Sequence, residues 1–174
     1  SVIGKVREVR EAMVPLGYSS AGTVLSVGRN ICDIEIGNRV ACAGGGKACH
    51  SEIVSVPGNL IAKIPGDVSF EEAAFTTLGA IAMHGIRRME AQFGETIVVF
   101  GAGLIGQIAV QIAKAAGYKV IVIDVNEERV KLAMKLGAEH GYVAGKDNAV
   151  NEVLHLTRGI GADGVAIYAA TSSS

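Results

Sequence analysis

The residues whose spacing suits a defined chemistry are Gly101-Ala102-Gly103-Leu104-Ile105-Gly106 and, further on, Asp124. The glycines follow an apolar run, Thr96–Phe100, and open a helical pattern at Leu104. Glycine at the first, third and sixth positions of a strand–turn–helix suits the close approach of a diphosphate. Gly101 permits the tight turn. Gly103 lacks the Cβ that would hold a diphosphate away from the backbone, and Gly106 lets helix and strand pack closely. The helix start adds unpaired N–H groups and the positive end of the helix dipole. Asp124 ends the next apolar run, 23 residues after Gly101, near the ~20 expected of a carboxylate that accepts hydrogen bonds from ribose hydroxyls. A carboxylate there also repels a 2′-phosphate, which favours NAD(H) over NADP(H), although Arg129 lies close enough in sequence to argue the other way. S-adenosylmethionine is the nearest other ligand, and the apolar Leu104–Ile105 pair favours the nicotinamide dinucleotide. The competing structural reading is a glycine-rich packing turn, with Asp124 merely next to a helix cap.

Other reactive side chains form weaker patterns. Cys42, Cys49 and His50 give three candidate ligands with no fourth nearby, so no metal site is assigned. His84 is expected inside a packed helix, and His140 and His155 lie away from the glycine turn. No histidine has a partner at triad-like spacing, so no catalytic residue is assigned.

These groups must be positioned by regular elements. Val2, Val6, Val9 and Met13 have helical spacing, predicting a helix over residues 2–13 that ends before Pro15. Ala21–Val27, Arg39–Ala43, Glu52–Val56 and Leu60–Ile64 are short β-type runs separated by Gly, Asn, Pro or Asp, as in an antiparallel meander. Pro65-Gly66-Asp67 marks a boundary. Ser69 and Glu72 form a capping box that starts a helical run to about Ala91, with a break near Thr76–Gly79. Strand and helix then alternate. Strands are expected at Thr96–Phe100, Lys119–Asp124, His140–Val143 and Gly164–Ala169. The helix after the glycines has Ile105, Ile108, Ala109, Ile112 and Ala113 on its apolar face, and Gln107, Gln111 and Lys114 opposite. Asn126 caps the next helix, and Val150, Val153, Leu154 and Thr157 mark another. This alternation calls for an α/β fold, a doubly wound parallel sheet with right-handed crossovers. Four strands of the usual 3-2-1-4-5-6 order are present, so the sheet is expected to be incomplete.

Composition excludes other classes. The 174 residues carry 16 Lys+Arg against 17 Asp+Glu, a net charge of -1, so nucleic acid and anionic membrane surfaces are not expected partners. Three cysteines, an odd number, favour free thiols and a cytoplasmic location. The opening residues SVIGKVREVREAM lack the apolar segment of a secretory leader. Thr96–Ala113 is uncharged, but its glycines and glutamines argue against a membrane span.

The run from AGTVLSVGRN through HSEIVSVPGNLIAKIPGDVSFEEAAFTTLGAIAMHGI to GETIVVFGAGLIGQIAVQIAKAAGYKVIVID resembles the medium-chain dehydrogenase/reductase superfamily, the alcohol-dehydrogenase and quinone-reductase group. The resemblance runs from about Pro15 to the end. It implies part of a GroES-like catalytic domain over residues 1–66 and a Rossmann domain, truncated at its C-terminal end, over residues 67–174. It implies that Thr77 lies near the nicotinamide, that Leu104 and Ile105 cover the diphosphate turn, and that Ala169, Ala170 and Thr171 border the ribose and nicotinamide. Zinc-dependent members have Gly-His-Glu where this sequence has Gly17-Tyr18-Ser19-Ser20, and the four-cysteine zinc lobe is missing, so zinc is not expected. Tyr18, in the place of the lost ligand, is either a packing residue or one that faces substrate. Pro15–Gly22 is also similar to a zinc-lacking branch fused to a sugar-type oxidoreductase module, which implies a longer polypeptide and a sugar-derived substrate. The expected function is hydride transfer between NAD(H) and a small carbonyl or alcohol. The alternative is a module that binds dinucleotide without turnover. Oligomeric state is left open.

Overall fold

The computed structural model describes residues 15–169. The helix expected over residues 2–13 therefore lies outside the described residues. The chain divides into two units between Thr77 and Leu78.

In the first unit, β1 (Ser19–Thr23), β2 (Arg39–Ala43) and β3 (Ile61–Lys63) form an antiparallel sheet in that order. Ser19 lies opposite Ala43, and Val40 opposite Lys63. A 3-10 turn, Gly58–Leu60, leads into β3, so the last expected β run is shorter than predicted. The Glu52–Val56 run does not form a strand. The outer edges of the sheet, on β1 and β3, do not take it up, and Ile53 is exposed. Alternation alone cannot reveal whether a partner edge exists. β1 starts earlier than expected and stops at Thr23, opposite the first residue of β2. Val24 and Val27 still pack with Ile34, Val40, Cys42 and Ala48 in a small core.

The capping box at Ser69 forms as predicted. Ser69 Oγ accepts from Glu72 N–H at 3.1 Å, and Glu72 Oε2 accepts from Ser69 N–H at 2.8 Å, opening α1 (Phe70–Ala73). The helical run is interrupted at Ala74–Phe75 rather than within Thr76–Gly79, which instead forms the first turn of α2 (Thr76–Arg88).

In the second unit, β4 (Thr96–Phe100), α3 (Leu104–Ala115), β5 (Lys119–Asp124), α4 (Glu127–Lys135), β6 (His140–Val143), α5 (Ala149–Leu156) and β7 (Gly164–Ile167) alternate. The sheet is wholly parallel with order β6-β5-β4-β7. The first strand of the unit is thus central, and the chain reverses direction of travel across the sheet there, as in a Rossmann fold. Continuous apolar runs make the two central strands because both of their faces are covered. Ile97, Val99, Val120 and Val122 pack with Ala109, Val110 and Ala113 of α3 and with Val130 and Ala133 of α4. On the other face Val98, Ile121 and Ile123 pack with Val153 of α5. Burial of a Val or Ile side chain is worth about 1.5–3 kcal/mol, so this two-sided core holds the carboxyl ends of β4 and β5 side by side. Phe100 pairs with Ile123, which brings the glycine turn next to Asp124.

Candidate functional site

The turn after β4 is built from three glycines held for different reasons. Gly101 has φ +98°, and a Cβ there would lie 2.6 Å from Ala169 N and 2.8 Å from the Tyr168 carbonyl carbon. Only glycine tolerates both the backbone conformation and the neighbouring chain. A Cβ on Gly106 would strike the Gly101 carbonyl oxygen, so that glycine lets α3 close onto the turn. Gly103 differs. Its φ of -70° and ψ of -169° suit any residue, and beyond its chain neighbours no atom lies within 4 Å of the place its Cβ would occupy. The fold itself does not require a glycine there, while a ligand lying against that backbone would.

Gly103 is also the N-cap of α3, and it offers no side-chain cap; the first turn carries no acid. By contrast, Ser69, Asn126 and Asn148 cap α1, α4 and α5. The start of α3 therefore keeps its N–H groups and partial positive charge available to an anion.

Asp124, at the end of β5, is only 6% exposed. Its Oδ2 accepts from Ala102 N–H at 2.6 Å, and its Oδ1 from Asn126 N–H at 2.8 Å. The carboxylate thus ties the glycine turn to the start of α4. Each oxygen retains a lone pair, which is the capacity needed to receive hydroxyl donors. Asn126 caps α4 as expected, accepting from Arg129 N–H at 3.1 Å, and the Arg129 side chain is exposed.

Of the other residues expected at the site, Leu104 is exposed at the helix start, whereas Ile105 packs partly against the core. Ala169 lies against Gly101. Ala170 and Thr171 lie outside the described residues. Thr77 belongs to the first unit, where its hydroxyl donates to the Cys42 carbonyl at 3.4 Å.

Two expectations need correction. Gln107 is not on a solvated face: it is buried, with Nε2 donating to the Ala102 carbonyl at 3.0 Å and to the Arg129 carbonyl at 2.9 Å. Polar residue type pointed it outward, and two backbone acceptors at the turn draw it in. Its sequence signal was position, directly after Gly106 and three residues before buried Val110. His84 lies on α2 as expected but is exposed rather than packed.

Cys42 and Cys49 are buried and Cys32 is exposed. Burial pushes the Cys42 thiol above its usual range and keeps it protonated. The His50 ring packs against Gly17, where a Cβ would meet it. Among the described residues no group of three or more His, Cys, Asp or Glu is arranged to hold a metal ion. A cavity of about 610 Å³ lies within the first unit, lined by residues such as Val24, Ile34, Cys42, Ile53 and Ile61. Among the described residues no helix is long and apolar enough to cross a membrane.

The zinc-binding dehydrogenase family matches residues 105–173. The (R,R)-butanediol dehydrogenase of Bacillus subtilis (strain 168) is 29% identical over 173 residues, covering 85% of this chain and 50% of that protein. Among solved structures, the quinone oxidoreductase of Pseudomonas syringae pv. Tomato DC3000 aligns with a TM-score of 0.79 at 32% identity, over 87% of this chain and 48% of that one. The Escherichia coli quinone oxidoreductase complexed with NADPH aligns with a TM-score of 0.73 at 28% identity, over 84% and 46%. The chain spans about half the length of the curated relatives it matches. An antiparallel β unit, a parallel sheet with its first strand in the middle and a glycine turn joined to a strand-end aspartate agree with these likenesses, and the chain belongs to the medium-chain dehydrogenase/reductase superfamily.

Proposed function

We propose that this chain is the dinucleotide-binding portion of an oxidoreductase that moves hydride between NAD(H) and a carbonyl or alcohol. The observation that carries this reading is Gly103, whose backbone permits any residue and whose missing Cβ leaves open space at an uncapped helix start. Gly103, Leu104 and the first turn of α3 would receive the diphosphate through backbone N–H groups. Asp124 would receive the adenosine ribose hydroxyls through the lone pairs left by its two backbone donors. Ala169, Ala170 and Thr171, after β7, would border the nicotinamide end. The nicotinamide supplies the hydride chemistry when bound, and the protein's part is to orient it and shield it from water.

The preference for NAD(H) rests on Asp124, a buried carboxylate that would face a 2′-phosphate with like charge. Arg129 is the nearby group that opposes it. Zinc-independent chemistry is inferred from Tyr18 standing in place of the histidine of zinc-dependent members. Residues 1–66 are assigned to part of a GroES-like catalytic domain and 67–174 to the nucleotide-binding domain. The substrate is taken to be a small molecule, a sugar derivative on the likeness of Pro15–Gly22, and the location cytoplasmic on the odd number of cysteines.

Fluorescence titration with NADH and NADPH tests the reading. NADH is expected to bind at least about tenfold more tightly, a difference of ~1.4 kcal/mol, and Asp124→Ser is expected to narrow that ratio. Absence of NADH binding overturns the proposal, and an unchanged ratio in Asp124→Ser removes Asp124 from the ribose site.

A further inference from the structure

Gln107 has no place in the dinucleotide scheme above, yet it is 8% exposed and sits directly behind the glycine turn. Its Nε2 gives one N–H to the Ala102 carbonyl and the other to the Arg129 carbonyl. These two acceptors fix the orientation of the amide, because the reversed amide would place Oε1 against two carbonyl oxygens. In this orientation Oε1 has no partner among the described residues. An orphaned buried oxygen is costly, and a leucine or methionine filling the same space would avoid it. The side chain is therefore suited to something other than packing.

Ala102 is held on both sides. Its N–H donates to Asp124 Oδ2 and its carbonyl accepts from Gln107. The peptide joining Ala102 to Gly103 is trans, so its carbonyl and the Gly103 N–H point in opposite directions. Drawing the Ala102 carbonyl inward to Gln107 turns the Gly103 N–H away from the buried amide. That N–H has no protein acceptor among the described residues, and the space beside Gly103 is open. Left without Gln107, the same peptide is free to rotate and present its carbonyl oxygen, which an anion repels.

We propose that Gln107 is a positioning residue that locks the 102–103 peptide so that the Gly103 N–H is presented to a phosphate oxygen of the dinucleotide. Its second hydrogen bond, to Arg129, anchors that lock to the first turn of α4, the element that follows Asp124. This inference rests on the dinucleotide reading of the glycine turn.

ADP-ribose, which carries the diphosphate and both riboses without the nicotinamide, is the probe. Calorimetry on the 174-residue chain and on Gln107→Met measures affinity, and ¹⁵N-resolved NMR follows the Gly103 amide. In the wild-type chain ADP-ribose is expected to move the Gly103 amide proton downfield. Gln107→Met is expected to bind about tenfold more weakly, the order of one hydrogen bond to a charged group, and to lose most of the Gly103 shift. A purely structural role would lower the melting temperature and leave that shift in place. Where Gln107→Met does not fold, the wild-type measurement still decides, because the Gly103 amide must move when ADP-ribose binds. A variant with wild-type affinity and a wild-type Gly103 shift overturns the role of Gln107 and leaves the dinucleotide reading standing. So does a Gly103 amide that stays unmoved when ADP-ribose binds the wild-type chain. A wild-type chain that does not bind ADP-ribose overturns both.

Discussion

Gly103 and Gly106 are three residues apart and answer to different constraints. A side chain at 106 collides with the Gly101 carbonyl, so a substitution there must open the joint between α3 and the turn. A Cβ at 103 meets no atom within 4 Å beyond its two chain neighbours. Gly103→Val is therefore expected to fold, with a melting temperature lower by no more than about 4 °C, since replacing a glycine cap costs on the order of 1 kcal/mol or less. Its NADH affinity is expected to fall by at least about 100-fold, or ~2.7 kcal/mol. Fluorescence titration beside a thermal melt separates the two effects, and wild-type affinity in this variant would remove the diphosphate from the turn. Both glycines could be recognised from their spacing. Gln107 could not, because its residue type argues for solvent and only the carbonyls of Ala102 and Arg129, brought together by the fold, reverse that preference.

Among the elements, α4 shows the clearest electrostatic design. Its first turn holds Glu127 and Glu128, and Lys131 reaches both at 3.0 Å, while Lys146 reaches Glu127 at 2.9 Å from the loop after β6. The hydrogen bond from Lys146, followed by that from Lys131, lowers the Glu127 pKa from an ordinary 4.5 to about 2. A carboxyl depressed in the folded state stabilises it above the unfolded pKa. That contribution is lost as pH falls from about 4.5 toward 2. The pair is exposed, so the effect on overall stability is small. Carboxyl ¹³C NMR is expected to show Glu127 titrating well below a free glutamate. Lys146→Ala or 1 M salt is expected to raise its midpoint toward the ordinary value, and a normal midpoint in the wild-type chain would mean that the Lys146 contact does not form in solution. The capping residues of α1 and α4 were legible because caps are local, involving chemistry within three residues. The Glu52–Val56 run failed as a strand because a strand needs a partner, and neither β1 nor β3 pairs its outer edge with it.

For the whole molecule, the thiols and the question of zinc belong together. Cys42 and Cys49 are buried and Cys32 is exposed, with the Cys42 thiol held protonated by burial. A thiol reagent is expected to modify Cys32 rapidly in the native chain and the other two only after unfolding, because thiolate character and access govern reactivity. A chelator is expected to change neither the count nor the melting temperature. Release of a further thiol by the chelator would show that Cys42 or Cys49 is a metal ligand and would overturn the zinc-independent reading.

By itself the sequence determined the order of strands and helices in the second unit, the caps of α1 and α4, and the pairing of a glycine turn with a strand-end carboxylate. Each depends on short-range periodicity, or on a spacing already set by one strand–helix–strand unit. Only the tertiary structure decided that Asp124 is buried with both oxygens engaged, that Gln107 turns inward, and that Glu52–Val56 stays out of the sheet. Those outcomes depend on which backbone donors, acceptors and edges distant segments bring into reach, and no local pattern along the chain encodes that.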